Sequence, residues 1–299
     1  MTKLVECIPN FSEGRNRSVI EGLAGVAGRA PGVSLLDYSS DVNHNRSVFT
    51  LLGGPDHLAE AAFLLCKSAC GRIDMTMHKG EHPCIGATDV IPFVPIRGCT
   101  MAECVDISRQ VARRIYEELK IPCFLYGEAC TSEPRRNLAN IRRGGFAGMP
   151  RKLLDEAWAP DFGERRIHPT AGVTAVGARK LLIAFNVNLC TSDVGVAKRI
   201  AKTVRESNGG LKDCKAIGVE LADRGIVQVS MNLTDFEVTP IYRAFEAIRA
   251  EAARAGVEVA GSELIGLAPA KALIDCAEHF MKIENFSYKT QVLENHLME

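Results

Sequence analysis

Apolar and polar residues alternate, or recur at helical spacing, in a regular series along the chain. Residues 4–9 read as a strand and residues 18–29 as an amphipathic helix. Residues 33–38 and 47–52 follow as two strands. Residues 55–71 form a helix opened by Pro55, whose missing N–H costs nothing in a first turn. Far downstream the order returns, with a strand over 180–188, a helix over 193–207, strands over 214–221 and 226–232, and a proline-led helix over 240–255. The spacing returns too: Val5 and Asp37 are 32 residues apart, and their counterparts Ala184 and Ile217 are 33 apart. This repetition predicts two related split βαβ, ferredoxin-like units in an α/β (α+β) chain with mixed sheets and helices on the sheet faces. Between them, residues 77–172 are rich in Gly, Pro and Arg, with an apolar strand over 90–95, a helix over 101–120 and a strand over 123–126. The boundary falls near 175–180, giving domains of 1–178 and 179–299.

Composition narrows the classes of function. The 299 residues carry 36 Lys+Arg and 36 Asp+Glu, so the formal charge is zero, and no basic excess points to nucleic acid. With 46% apolar and 24% charged residues the chain has the mix of a globular protein. No run approaches the ~20 apolar residues of a membrane span: Glu60 interrupts residues 58–66 and Pro92 interrupts 90–96. Residues 1–11 contain one lysine and reach a strand at once, so no signal peptide is expected. The 11 cysteines are odd in number and form no Cys-x-x-Cys, which argues against a disulfide framework or zinc ribbon. Free cysteines beside apolar residues act as small core groups and persist in a reducing compartment, so a cytoplasmic protein is expected.

Candidate chemistry lies in the polar loops. The string His-Lys-Gly-Glu-His-Pro over 78–83 places four titratable side chains within five residues. Two histidines four apart grip a metal only when a helix stacks them, and Gly80 and Pro83 work against a helix, so no metal is expected. General acid–base work and a hydrogen-bonded structural histidine both remain open. His82 is the better candidate of the two because Pro83 restricts its backbone. A second loop, residues 37–46, contains Asp41, Asn45 and Arg46. Arg46 suits a forked grip on a carboxylate, and a solvated turn explains the Asn and Asp residues equally well. Residues 10–14 follow the first strand, where Asn10 faces a ligand or, alternatively, Ser12 or Asn16 caps the next helix. The glycines at 172 and 177 have phosphate-loop spacing, but Ala178 and Arg179 stand where Lys and Ser/Thr belong. The Arg pairs at 113/114, 135/136, 142/143 and 165/166 read as solvated faces, with no interleaved aromatics.

These segments resemble the glutamate formiminotransferases, over nearly the whole chain. The resemblance rests on Leu-Val-Glu-Cys-Ile-Pro-Asn-Phe-Ser-Glu-Gly at 4–14, Asn45-Arg46, Ile-Asp-Met at 73–75 and the 78–83 string. It continues in Leu-Tyr-Gly-Glu-Ala at 125–129, Trp-Ala-Pro-Asp-Phe-Gly at 158–163, Gly-Ala-Arg-Lys at 177–180, Ala-Phe-Asn-Val-Asn at 184–188 and Leu-x-Asp-Phe-Glu-Val at 233–238. The resemblance implies two α/β subdomains with a folate-filled ligand groove between them, and a homodimer. It implies transfer of the formimino group from N-formimino-L-glutamate to tetrahydrofolate, a late step of histidine breakdown, with no metal, nucleic acid or membrane partner. A cyclodeaminase half is not expected.

The family's acid/base histidine falls on His82. Its folate-contacting segment falls on Gly163, Glu164, Arg165, Arg166, Ile167, His168, Pro169, Thr170, Ala171 and Gly172. Residues 164–171 depart from the animal pattern, where a tryptophan is expected near Ala171. The chemistry suits one positioned base that later acts as acid: folate N5 attacks an amidine carbon, loses a proton, and the glutamate nitrogen leaves with one. The carboxylates of glutamate call for cations, which Arg46 and Lys79 supply, with Asn10, Asp41, Asn45 and Glu81 as further candidates for substrate binding. Arg165 and Arg166 are candidates for the anionic tail of polyglutamylated folate. Formyl transfer from 5-formyltetrahydrofolate and a non-catalytic ligand sensor are the alternatives, ahead of an RNA-binding pair.

Overall fold

In the computed structural model, which describes residues 3–297, Pro9 has no N–H to give a ladder and splits the first strand into β1 (Leu4–Cys7) and β2 (Asn10–Phe11). The chain divides into two units, one running to Lys180 and the other starting at Leu181. In the first unit, α1 (Arg17–Gly28) is capped by Asn16, whose side chain accepts from Ser18 N at 3.1 Å and Val19 N at 3.4 Å. Ser12 is not the cap, because its hydroxyl donates to Gly86 O at 2.7 Å. The hairpin β3 (Val33–Asp41) and β4 (Arg46–Gly53) leads through Pro55 into α2 (Pro55–Cys70) and then β5 (Thr88–Arg97). A reciprocal Thr100–Glu103 capping box starts α3 (Met101–Leu119), whose stripe of Cys104, Ile107, Val111 and Ile115 is buried. Next come β6 (Cys123–Gly127), the short helices α4 (Glu133–Arg136), α5 (Leu138–Arg142) and α6 (Gly145–Lys152), and β7 (Thr174–Ala178).

The first sheet runs β3, β4, β1/β2, β5, β7, β6. Pairings from β3 to β5 are antiparallel, and β5–β7 and β7–β6 are parallel. One face buries Phe11, Phe49, Leu58, Phe63 and Phe93 together with Ile107 and Ile115 of α3. The alternate residues Val90, Phe124 and Ala175 face the other way, onto Ile141, Met149 and Leu153 from the short helices. The parallel end of this sheet is therefore covered on both faces, which explains why β5 is an almost continuous apolar run.

The second unit contains β8 (Ile183–Leu189), α7 (Val194–Val204), β9 (Cys214–Leu221), β10 (Ile226–Leu233), α8 (Ile241–Arg254), β11 (Val259–Ile265) and α9 (Ala270–Met281). Its sheet order is β9, β10, β8, β11, all antiparallel, which is the order of β3, β4, β1/β2, β5. Both units thus have the split βαβ topology that the repeated spacing predicts.

Two expectations need correction. Residues 37–46 are not one long loop: β3 continues to Asp41, and only residues 42–45 turn. Ser39, Ser40 and Asp41 lie on an exposed edge strand, so they show no apolar alternation, and a bulge between Leu35 and Asp37 shifts what pattern there is. The cysteines are not all core groups: six are buried, but Cys190 is exposed at the end of β8.

Candidate active site

Strand pairing, antiparallel except between β5 and β7, brings several loops to one end of the first sheet. Asp41 is paired with Arg46, Phe11 with Ser47 and Thr88, and Val90 with Ala175, so the segments beyond these residues emerge together. Asn45 fastens three of them. It takes a left-handed backbone (φ 48°), is 8% exposed, and its Oδ1 accepts from Gly14 N at 2.8 Å. Its Nδ2 donates to Lys79 O at 3.1 Å and lies 3.3 Å from His78 Nδ1. Glu81 N donates to Asn43 O at 3.2 Å. A Cβ on Gly80 would stand 2.3 Å from His44 O, so only glycine allows this approach.

His82 is held where these loops meet, half-buried, with its ring 6.4 Å from that of His44 and nearly perpendicular to it. Its Nδ1 is enclosed and has no partner among the described residues. Burial, and then the positive charges of Arg46 and Arg142, push its pKa down to about 3, with Asp89 opposing them. The ring is therefore a neutral imidazole at physiological pH.

Arg46, the first residue of β4, donates from Nη2 to Asn10 Oδ1, and Asn10 is oriented by donating from Nδ2 to Ile8 O at 2.8 Å. Arg46 Nε is enclosed without a partner, and no carboxylate of the described residues pairs with the guanidinium. Burial first, and then Arg142, bring its pKa down to about 10. Arg142, at the end of α5, donates from Nη2 to Asp89, which is 1% exposed and also accepts from Ile85 N at 3.0 Å. The enclosed Arg142 Nε also lacks a partner among the described residues. An unsatisfied buried donor or acceptor costs about 1–3 kcal/mol, so three such atoms on residues whose charges act on one another mark an arrangement shaped for something other than its own stability.

The remaining candidates are distributed as follows. Asp41 is exposed and held below the usual carboxylate range by the backbone N–H of His44, 2.7 Å away, and by its ring. Lys79 and Glu81 are exposed. The 163–172 segment ends in a tight hairpin in which His168 and Gly172 exchange backbone hydrogen bonds at 2.9 and 3.0 Å. Ala171 N donates to His168 Nδ1 at 3.0 Å, and Thr170 N lies at 3.4 Å. This hairpin is fastened to the segment just after His82: Ala87 N donates to Ala171 O and Val173 N to Ile85 O. Gly172 needs its positive φ and leaves no room for a Cβ, which would meet Ile85 O at 2.3 Å. Ile167 packs on the Phe124 cluster, Pro169 is exposed, and Gly163 packs against Pro122. Arg165 donates to the carbonyls of Leu153 and Leu154, which hold the side chain but leave its charge, and the exposed Arg166 pairs with Glu164 at 2.9 Å.

The arginine pairs also require correction, since Arg135 and Arg142 are not solvated. Arg135 is 7% exposed and binds Asp161 at 3.0 Å and the carbonyls of Ala157 and Ala159. Sequence reading missed Arg142 and Asp89 as part of the site. The signal was an acid inside the apolar run that begins β5, because a carboxylate buried there requires a cation.

Family models match both units: the "Formiminotransferase domain, N-terminal subdomain" over residues 4–179 and the "Formiminotransferase domain" over residues 184–297. The chain is 62% identical over 298 residues to a "Glutamate formimidoyltransferase" of Streptococcus pyogenes serotype M1, covering 100% of both chains. It is 45% identical over 285 residues to a protein of the same name from Thermoplasma acidophilum, covering 95% of this chain and 94% of that one. It is 44% identical over 291 residues to a "Formimidoyltransferase-cyclodeaminase" of Sus scrofa, covering 95% of this chain but 54% of that longer protein.

Proposed function

The chain belongs to the formiminotransferase family and is a transferase that moves the formimino group of N-formimino-L-glutamate to tetrahydrofolate; we propose that His82 is its general base and acid. One observation carries this role: a neutral imidazole set beside a guanidinium that forms no ion pair with a carboxylate of the described residues. The reaction forms a bond from folate N5 to the amidine carbon and breaks the bond from that carbon to the glutamate nitrogen. His82 takes the proton that N5 loses and returns it to the departing nitrogen, so the ring ends as it began. With Nδ1 enclosed, this exchange falls to Nε2. Such proton transfer is worth roughly 10²–10⁴ in rate.

Arg46 binds a substrate carboxylate in this reading, supported by its burial and its missing partner, and Asn10 orients it. Lys79 is too exposed to contribute more than a weak attraction. Asn45 acts by positioning, since both ends of its amide are occupied by the loops. The hairpin that ends at Gly172 is proposed to meet the folate, in line with its attachment to residues 85–87. The proposal includes a homodimer acting on small molecules in histidine breakdown, within a reducing cytoplasm that suits free cysteines. The test is a product assay with formiminoglutamate and with 5-formyltetrahydrofolate as donors, on the wild type and His82→Ala. Glutamate and 5-formiminotetrahydrofolate should appear with the first donor and depend on His82. Turnover with the formyl donor alone would overturn the reading.

A further inference from the structure

Arg142 is a second cation beside His82, and acid–base catalysis by that ring gives it no task. It is held with care: Lys152 donates to Ile141 O at 2.8 Å and so closes the end of α5, and Asp89 takes one arm of the guanidinium. Asp89 pairs directly with Arg142, while Arg46 forms no ion pair with a carboxylate of the described residues and is acted on by Asp89 and Asp41 only through their field. Each has an enclosed Nε–H, which a guest cannot reach, and an Nη1 that has no acceptor among the described residues and is not enclosed, so Nη1 is open to a guest. A guanidinium can only donate, so a guest that satisfies this pair must be an acceptor and an anion. A carboxylate, planar with two oxygens, matches guanidinium forks. The charged or titratable groups acting on His82 are Arg46 from β4, Arg142 from α5, Asp89 from β5 and His44 from the turn. The two arginines and His44 disfavour an imidazolium and Asp89 favours it, so an anion against the arginines would remove much of the opposition.

Building on the reading of the chain as a formimino transferase, we propose that Arg46 and Arg142 together seat one carboxylate of the glutamate-bearing substrate, and that filling this seat makes the His82 ring basic enough to work. Donor binding thereby arms the base. In the empty enzyme the two guanidinium groups oppose a proton on the ring. With the seat filled it accepts the N5 proton and releases it to the glutamate nitrogen as the carbon–nitrogen bond breaks. Arg142 is thus both a specificity residue for a dicarboxylate donor and a positioning residue for proton transfer.

The test is NMR titration of the histidine rings in the full chain, with L-glutamate and glutarate as probes, neither of which carries a formimino group. Free enzyme should show a His82 midpoint far below the ordinary 6.5. Saturating either probe should raise it by about one pH unit or more. The double variant Arg142→Gln/Asp89→Asn removes the pair without stranding a charged acid. It should bind glutamate about tenfold more weakly and lose most of the rise. Arg142→Lys keeps the ion pair but not the fork, and should lose affinity to a smaller degree, which preserves the test if the double variant does not fold. A bound probe that leaves the His82 midpoint unmoved overturns the proposal, as does an Arg142→Lys or double variant with wild-type affinity and a full rise. Because no turnover is involved, a seat that fills and shifts His82 in an enzyme inactive on formiminoglutamate supports this inference while refuting the transfer reading.

Discussion

The two units share a strand order but treat their buried polar groups in opposite ways. In the second unit, Gln228 donates to Asn188 Oδ1 at 2.8 Å and to Glu263 at 3.1 Å. Asn188 donates to Glu263 at 2.9 Å, and Arg224 reaches the same carboxylate at 2.8 Å. That network closes on itself. In the first unit, the buried side-chain atoms without partners among the described residues belong to Arg46, Ser47, His82, Thr88, Arg135 and Arg142. Three of those residues act on one another through their charges. The connections explain how one frame supports both outcomes. Between α8 and β11 the chain needs only residues 255–258, whereas between α2 and β5 it inserts residues 71–87, which carry His82. A satisfied network stabilises the unit that holds it, while an unsatisfied one is tolerated where a ligand completes it.

The largest expected break in this contrast comes from His82→Ala. If the orphaned ring is the proton carrier, kcat should fall by roughly 10²–10⁴. Steady-state assays that find more than about a tenth of wild-type kcat would remove His82 from the mechanism. Next in size, Arg46→Ala should raise KM for formiminoglutamate by roughly ten- to a hundredfold, the equivalent of about 1.5–3 kcal/mol for hydrogen bonds to a charged group. Unchanged kinetics would mean that its missing partner is not the substrate.

The second unit offers the converse test. Gln228→Ala leaves Asn188 and Glu263 each short of a donor, so urea denaturation should show a loss of about 1–3 kcal/mol with kcat close to wild type. A drop in kcat without a stability loss would erase the distinction between the units. A dependence on pH follows as well. The His82 pKa is lower in the folded chain, about 3, than its ordinary 6.5, so the folded state binds fewer protons in that window. Its contribution to stability is complete above about pH 6.5 and is lost as pH falls toward 3. Thermal melts of His82→Ala should therefore decline less steeply on acidification than those of the wild type, and parallel acid limbs would show that the ring is not held neutral.

Legibility differed between local and convergent features. Asn16 is readable as a cap because capping acts within a few residues. The polar end of β3 was not readable as a strand, because Ser39, Ser40 and Asp41 pair along an exposed edge without the alternation that burial imposes. Asn45 fitted an ordinary turn residue, and its grip on Gly14 and Lys79 depends on segments more than 30 residues away in each direction. Arg142 looked like one of several solvated arginines until α5 placed it against Asp89.

By itself the amino-acid order determined the succession of strands and helices, their duplication, and a histidine-bearing loop with acid–base potential. Hydrophobic periodicity, caps and proline positions operate over a few residues and need no distant partner. Only the folded chain decided that Arg46 would lack a carboxylate, that Asp89 would claim Arg142, and that His82 would stay neutral between them. Those properties depend on burial and on charges brought together across antiparallel pairings, and a one-dimensional pattern holds neither distance nor dielectric.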